Sequence, residues 1–108
     1  MNMNYWKDEY IYNYHEARGN KKGYITEVDC AISRYILERY GNVESDCFTA
    51  AEAEKTVDDL VSNPKVSSNK YIYVVFGWLR HYCSFICEHG GMTENPYVEI
   101  ERPVGSYA

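Results

Sequence analysis

A narrow polar stripe on an otherwise apolar segment carries the side chains that are best suited to bind a ligand. At about 100° per residue, apolar side chains cover more than half of a helix built from residues 67–90. The stripe consists of Lys70, Tyr73, Gly77, Arg80, His81, Ser84 and Glu88. Gly77 leaves the space between the cations Lys70 and Arg80 without a side chain. Arginine bonds bidentately to guanine or phosphate, and hydroxyl groups bond to phosphate, so the stripe is a candidate DNA-binding surface.

The start of the same segment is also suited to phosphate. Free backbone N–H groups and the helix dipole attract anions at a helix N-terminus. The residues that the sequence places there are Lys65, Ser68, Asn69 and Lys70. On these residues alone an ordinary solvated face, with Ser68 and Asn69 acting only as caps, is an open alternative.

A basic loop near the N-terminus is a second candidate for phosphate contact. Lys21 and Lys22 lie between Gly19 and Gly23, and Arg18 stands beside them. A mobile loop that only adds solubility explains the same composition equally well. Both interpretations remain open.

The four cysteines are Cys30, Cys47, Cys83 and Cys87. The last two are four residues apart on one helix face, a spacing that can hold zinc. They point into the apolar arc, however, and His81 lies on nearly the opposite side of the helix. We therefore predict reduced core thiols, with no metal and no other cofactor.

Periodicity and capping signals predict an all-α, four-helix orthogonal bundle with a long central last helix. The predicted helices are Asn4 to Arg18, Thr26 to about Tyr40, Thr49 to about Ser62, and the segment that begins near Ser67. Thr26 and Thr49 are the expected N-caps of the second and third helices. Residues 1–96 form the predicted domain. Residues 97–108, with a proline and a glycine, are predicted to be an extended linker.

Length, composition and net charge limit the kind of protein that this chain can be. The chain has 108 residues, of which 45% are hydrophobic, so it is one folded domain. Its net charge of −5 argues against a generic nucleic-acid coat but leaves room for a local basic patch. The first residues lack the apolar run of a signal peptide and no segment is apolar enough to span a bilayer, so a cytoplasmic protein without a membrane partner is expected.

The order of these signals resembles the N-terminal core-binding (SAM-like) domain of tyrosine recombinases and phage integrases. The matching features are two threonine-opened helices, a Leu79-Arg80 pair in a long helix, and a closing run from Gly91 to Asn95-Pro96. The resemblance covers about Trp6 to Pro103.

The resemblance implies a DNA-binding module used in DNA integration and recombination, without catalysis of its own. It would clamp double-stranded DNA for a separate C-terminal catalytic domain, and sister recombinase subunits would be further partners. His15 and Arg18 match the His-x-x-Arg pair of that catalytic half, but they lie in the wrong place and the match is interpreted as coincidence. The competing class is a helical protein–protein interaction domain, which the net charge and the acidic third helix favour.

Overall fold

A computed structural model of the chain describes residues 1–63 and 68–103. Helix α1 (Met3–Tyr10) continues into a π-helical segment, Ile11–Glu16. Helix α2 (Lys22–Ile32) continues through a second π-helical segment, Ser33–Leu37, into the short helix α3 (Glu38–Tyr40). A 3-10 turn (Ser45–Cys47) precedes α4 (Ala50–Ser62), and α5 spans Asn69–Glu88. The described ranges contain no β-strand, only an isolated bridge between Asn2 and Glu44, so the all-α prediction is confirmed.

Helix α5 is the centre of the fold, as its apolar circumference predicts. It packs against α1, α2 and α4. Its buried side chains are Ile72, Val75, Phe76, Leu79, Tyr82, Cys83, Phe85 and Ile86. Fully burying one large apolar side chain contributes about 1.5–3 kcal/mol, so this helix supplies a large share of the apolar driving force. The Tyr82 hydroxyl also donates to the Met3 carbonyl oxygen at 2.5 Å, which ties α5 to the first turn of α1.

Polar caps set the starts of α4 and α5. Thr49 and Glu52 form a capping box at α4, in which the Thr49 N–H donates to the Glu52 carboxylate at 3.0 Å. The Ser68 hydroxyl oxygen accepts from the Tyr71 N–H at 3.1 Å at the start of α5. Both caps satisfy N–H groups that have no partner within the helix. After α5 the chain turns at Gly90, whose φ of +81° is a conformation that glycine adopts without strain.

The predicted cap at Thr26 is wrong. Helix α2 begins one turn earlier, at Lys22, and Lys21 is the extended residue before it. The Thr26 hydroxyl donates instead to the Lys22 carbonyl oxygen at 3.0 Å. A threonine within a helix makes this bond to the residue four positions before it, so the same residue type serves either inside or ahead of a helix.

The π-helical segment after α1 changes which residues face the core. The Ala17 N–H donates to the Tyr12 carbonyl oxygen, five residues back, at 3.2 Å. The wider turn brings His15 onto the same face as Tyr10, and their ring centroids are 4.6 Å apart. His15 is therefore buried, whereas Ala17, which a regular helix would place on the buried face, is exposed.

The prediction that the chain becomes an extended linker at residue 97 is wrong. Tyr97, expected in an extended linker, is fully buried, with its ring against Phe48 and Phe76. Its hydroxyl shares a hydrogen bond of 2.6 Å with the buried Thr56 hydroxyl. Val61 is 51% exposed, whereas the buried side of α4 consists of Ala53, Thr56, Val57 and Leu60. Residues 104–108 of the predicted linker lie outside the described residues.

The cysteines divide into two kinds. Cys83 is buried and Cys87 is half-buried, in line with the prediction of core thiols, but Cys30 and Cys47 are exposed. All four are free thiols. Among the described residues, no helix combines the length and the apolar character needed to cross a membrane.

Candidate nucleic-acid interface

The polar stripe of α5 occupies one narrow sector of the helix surface. Five of its residues fall within about 80° of one another at the regular helical rotation. They are Lys70, Tyr73, Gly77, Arg80 and Ser84. Lys70 and Arg80 are exposed, and Tyr73 is 38% exposed. The Arg80 guanidinium lies over the Phe76 ring, 5.6 Å from its centroid, which supports the side chain while leaving its charge in solvent.

A third cation, Arg102, enters the stripe from the C-terminal segment. Its guanidinium carbon lies 3.5 Å from the centroid of the Tyr73 ring. Its Nε and Nη2 atoms donate to the Tyr73 carbonyl oxygen at 3.2 and 2.8 Å. Gly77 makes the room, because a Cβ atom at that position would lie 2.5 Å from Nη2. The Arg102 side chain therefore occupies the space that Gly77 leaves between Lys70 and Arg80.

Asn95 forms hydrogen bonds with the part of the stripe that lies in the C-terminal half of α5. Its amide nitrogen donates to the Arg80 carbonyl oxygen at 2.8 Å and to the Ser84 hydroxyl oxygen at 2.9 Å. Its side-chain oxygen accepts from the Tyr97 N–H at 3.0 Å. The Asn95-Pro96 pair therefore anchors the C-terminal segment on α5. The Ser84 hydroxyl, expected to bind phosphate, is engaged within the protein.

The basic loop leads into the N-terminus of α2. Gly19 has a φ of +73° and ends the first helical rod, as predicted. Lys21 is the N-cap residue of α2, and in the described chain no side chain caps this helix. Arg18 lies over the Tyr14 ring, 5.0 Å from its centroid. Arg18, Lys21 and Lys22 are all exposed, so their charges face solvent.

Behind this loop lies a cluster of histidine and tyrosine rings that the sequence pattern did not indicate. The Tyr10 hydroxyl and His81 Nδ1 share a hydrogen bond of 2.7 Å. The Tyr14 ring contacts both histidines, with centroids 4.9 Å from His15 and 4.6 Å from His81. Burial, followed by the nearby charges of His81 and Arg18, lowers the pKa of His15. Desolvation of its partly covered ring, opposed by the Glu88 carboxylate and aided by Arg18, also lowers the pKa of His81.

The structure sorts the predicted site residues into two groups. Ser68, Asn69, Lys70, Tyr73, Arg80 and Ser84 belong to α5 and its cap, whereas Lys21 and Lys22 belong to the start of α2. Lys65 lies outside the described residues. The sequence does not predict Arg102 as a site residue. An isolated arginine in a proline-containing tail is not part of a periodic pattern that would assign it to a helix face. The only available signal was Gly77, a small residue in the middle of a long helix.

The ion pairs of the described residues lie away from the three stripe cations. The exposed acids of the third predicted helix are on α4, where Asp59 pairs with Arg39 at 3.5 Å. Lys7 pairs with Asp8 and Asp29. Within the ranges 1–63 and 68–103, no ion pair involves Lys70, Arg80 or Arg102. The same ranges hold no group of three or more histidine, cysteine or acidic side chains placed to bind a metal ion.

Comparisons of the chain with protein-family models, with curated proteins and with solved structures found no match.

Proposed function

We propose that this chain is a double-stranded DNA-binding module that contacts backbone phosphates through the polar stripe of α5. The observation that carries the proposal is the succession of Lys70, Arg102 and Arg80 along one face. Ten residues separate Lys70 from Arg80, a rise of about 15 Å along an α-helix. At about 3.4 Å per base pair, this length spans four to five base pairs, so the three cations can follow one strand.

The three cations have different tasks. Lys70 is exposed in the first turn of α5, where the positive end of the helix dipole adds to its own charge. The planar guanidinium group of Arg80 can donate two parallel hydrogen bonds to a phosphate or to guanine. Arg102 uses Nε and Nη2 on the Tyr73 carbonyl oxygen, which leaves its Nη1 atom for a ligand. The stripe therefore suits phosphate contact along its length, and base contact at Arg80 alone.

A finer assignment depends on the resemblance to recombinase core-binding domains. We propose that the helices form the SAM-like orthogonal bundle of such a domain and that the protein acts in the cytoplasm. On this proposal the chain has no catalytic activity of its own and holds DNA for a separate catalytic domain during integration or recombination. The Asn95-Pro96 anchor supports it, because it fixes the C-terminal segment against the proposed DNA-binding face.

A titration of the chain with a fluorescent duplex over a series of salt concentrations tests the DNA proposal. Phosphate contacts release counterions, so affinity falls as salt rises, with a logarithmic slope of about 0.9 for each phosphate contacted. Three contacts predict a slope of about −3. Absence of binding at low salt, or binding that does not weaken with salt, contradicts the proposal.

The second candidate function is a helical protein–protein interaction domain. The observation that favours it is Val61, 51% exposed on the outer side of α4 beside the exposed acids Asp58 and Asp59. The acidic outer side of α4 and the net charge of −5 also suit electrostatic complementarity with a basic protein surface. In the same titration this function predicts no duplex binding at any salt concentration.

A further inference from the structure

His81 is an exposed histidine within the polar stripe of α5, next to Arg80 in the sequence. At the regular helical rotation it lies about 20° from Lys70 and about 40° from Gly77. The Arg102 guanidinium group occupies the space beside Gly77, so His81 follows this cation by about one helical turn, a rise of about 6 Å. The imidazole ring therefore stands among the three cations that are proposed to follow one DNA strand.

Two tyrosines, one from α1 and one from the π-helical segment after it, hold the His81 ring in place. The Tyr10 hydroxyl shares a hydrogen bond of 2.7 Å with His81 Nδ1, and Tyr10 is itself buried. The Tyr14 ring packs against the imidazole ring, with centroids 4.6 Å apart. A ligand of His81 therefore meets a side chain whose position is already fixed, so that little conformational entropy is lost on binding.

The charged groups around His81 leave its protonated form without a counterion in ion-pair contact. Within residues 1–63 and 68–103, no ion pair involves this histidine. Desolvation disfavours the charged ring, the Glu88 carboxylate favours it and Arg18 opposes it, so the pKa of His81 is lowered. The buried His15 ring also interacts electrostatically with His81. The three stripe cations add further positive charge on the same face.

A phosphate bound to the stripe supplies the negative charge that these surroundings lack. The second proton of an imidazole ring adds a full positive charge, whichever nitrogen carries the first proton, and makes donors of both nitrogens. An anion within a few ångströms favours this charged form. The charge of a phosphodiester stays constant near neutral pH, so in a complex with DNA the protonation of His81 changes the charge of the protein side of the interface.

We propose that protonated His81 binds a backbone phosphate of duplex DNA beside Arg102 and Arg80, so that acidification strengthens the binding of DNA to the stripe. Such regulation rests on the proposed DNA-binding function and acts at the same surface. The bound phosphate raises the pKa of His81 in the complex above its value in the free protein. The affinity therefore increases as the pH falls through the pKa of the complex, and it levels off below the pKa of the free protein.

Fluorescence anisotropy with a short duplex at about pH 7.5 and about pH 5.5, at one ionic strength, tests the regulation. The dissociation constant is expected to fall about threefold to tenfold at the lower pH, because binding is coupled to protonation of one histidine. The magnitude of the logarithmic salt slope is expected to rise by about 0.9, the value for one further phosphate contact. Imidazole NMR of the unsubstituted chain should show a higher pKa of His81 in the complex than in the free protein. Circular dichroism checks that the chain is folded at both pH values.

Matched histidine variants identify the titrating group. His81→Gln is expected to remove most of the pH response and to leave binding at about pH 7.5 almost unchanged, because glutamine stays neutral and His81 is mostly neutral there. His89→Gln is the control, since His89 is exposed but follows the last residue of α5 and packs against Phe85 and Trp6. This variant is expected to keep the full pH response.

The outcomes separate the regulation from the DNA proposal itself. Absence of duplex binding at both pH values overturns both. Duplex binding with a salt slope of about −3 that gains nothing on acidification overturns the regulation alone. The regulation is also overturned if the gain persists in His81→Gln, or if His89→Gln removes the gain to the same extent.

Discussion

Arg102 lies over the Tyr73 ring, with its guanidinium carbon 3.5 Å from the ring centroid, and donates twice to the Tyr73 carbonyl oxygen. This contact joins a residue near the end of the described chain to the first half of α5. It also converts a helix face with two cations into one with three. The arrangement requires a residue without a side chain at position 77.

Substitutions at Arg102 and at Gly77 should have coupled effects on the free energy of unfolding. Arg102→Ala is expected to lower the free energy of unfolding by about 1 kcal/mol, from the lost cation–π contact and hydrogen bonds. Gly77→Ala displaces Arg102 but gains up to about 1 kcal/mol of helix propensity, so its net effect should be small. Arg102→Ala should then cost almost nothing in the Gly77→Ala background. Urea unfolding of the four proteins measures the coupling, and equal costs in both backgrounds would contradict it.

The two threonines that the sequence assigns as caps should differ in their effect on stability. Thr49→Ala removes the capping box of α4 and is expected to cost about 1 kcal/mol. Thr26→Ala removes only a bond to the Lys22 carbonyl oxygen within α2 and is expected to change stability by less than about 0.5 kcal/mol. Chemical denaturation compares them, and Thr26→Ala serves as the matched control. Equal losses would mean that α2 begins at Thr26 after all.

Tyr97 should behave as a core residue and not as part of a linker. Tyr97→Ala is expected to destabilise the protein by about 3–5 kcal/mol, the usual cost of removing a buried aromatic ring. Tyr97→Phe removes only the hydroxyl bonded to Thr56 and should cost about 1 kcal/mol. Val98→Ala is the neighbouring control, since Val98 is 65% exposed and should be nearly neutral. A Tyr97→Ala protein as stable as the Val98→Ala protein would restore the linker interpretation.

The DNA proposal predicts a specific change in salt dependence. Lys70→Gln with Arg80→Gln should weaken duplex binding and reduce the magnitude of the logarithmic salt slope by about 2, since two phosphate contacts are lost. Lys55→Gln, an exposed lysine on α4, should leave the slope unchanged. The measurement is fluorescence anisotropy at several salt concentrations. A double variant with the wild-type slope would rule out the stripe as the contact surface.

The two histidines in the ring cluster should make stability depend on pH. Their pKa values are lowered in the folded state from the ordinary 6.5, mainly by burial, so between the folded and unfolded pKa values the unfolded state binds more protons. The histidine contribution is therefore fully present above about pH 6.5 and is lost as the pH falls toward the folded-state pKa values. Each tenfold difference in proton affinity between the two states corresponds to about 1.4 kcal/mol of stability.

Urea unfolding from about pH 7.5 to about pH 5.5 tests this, because most carboxylates remain ionised in that interval. Substitution of His81 by asparagine should flatten the dependence by removing one of the two groups. Stability that rises on acidification over this interval would show that the histidines gain a partner for the charged form.

Much of the fold follows from local chemistry. The capping box at Thr49, the cap at Ser68 and the turn at Gly90 can be identified by residue type, because a helix end needs a nearby acceptor or a residue that tolerates positive φ. The central place of α5 follows from its apolar circumference, which must be covered from several sides. The exposed cations Lys70 and Arg80 were also identifiable, since they interrupt that apolar surface.

Other features depend on contacts between distant parts of the chain. The burial of His15 against Tyr10 comes from a π-helical turn, which breaks the regular rotation on which sequence patterns rely. The sites of Tyr97 and Arg102 are decided by Thr56 and Gly77, respectively 41 and 25 positions earlier by residue number. The amino-acid sequence alone therefore determined an all-α protein built around one apolar helix with a basic stripe. Only the tertiary structure decided that the C-terminal segment completes both the core and the stripe, because side-chain packing across such separations leaves no local periodicity.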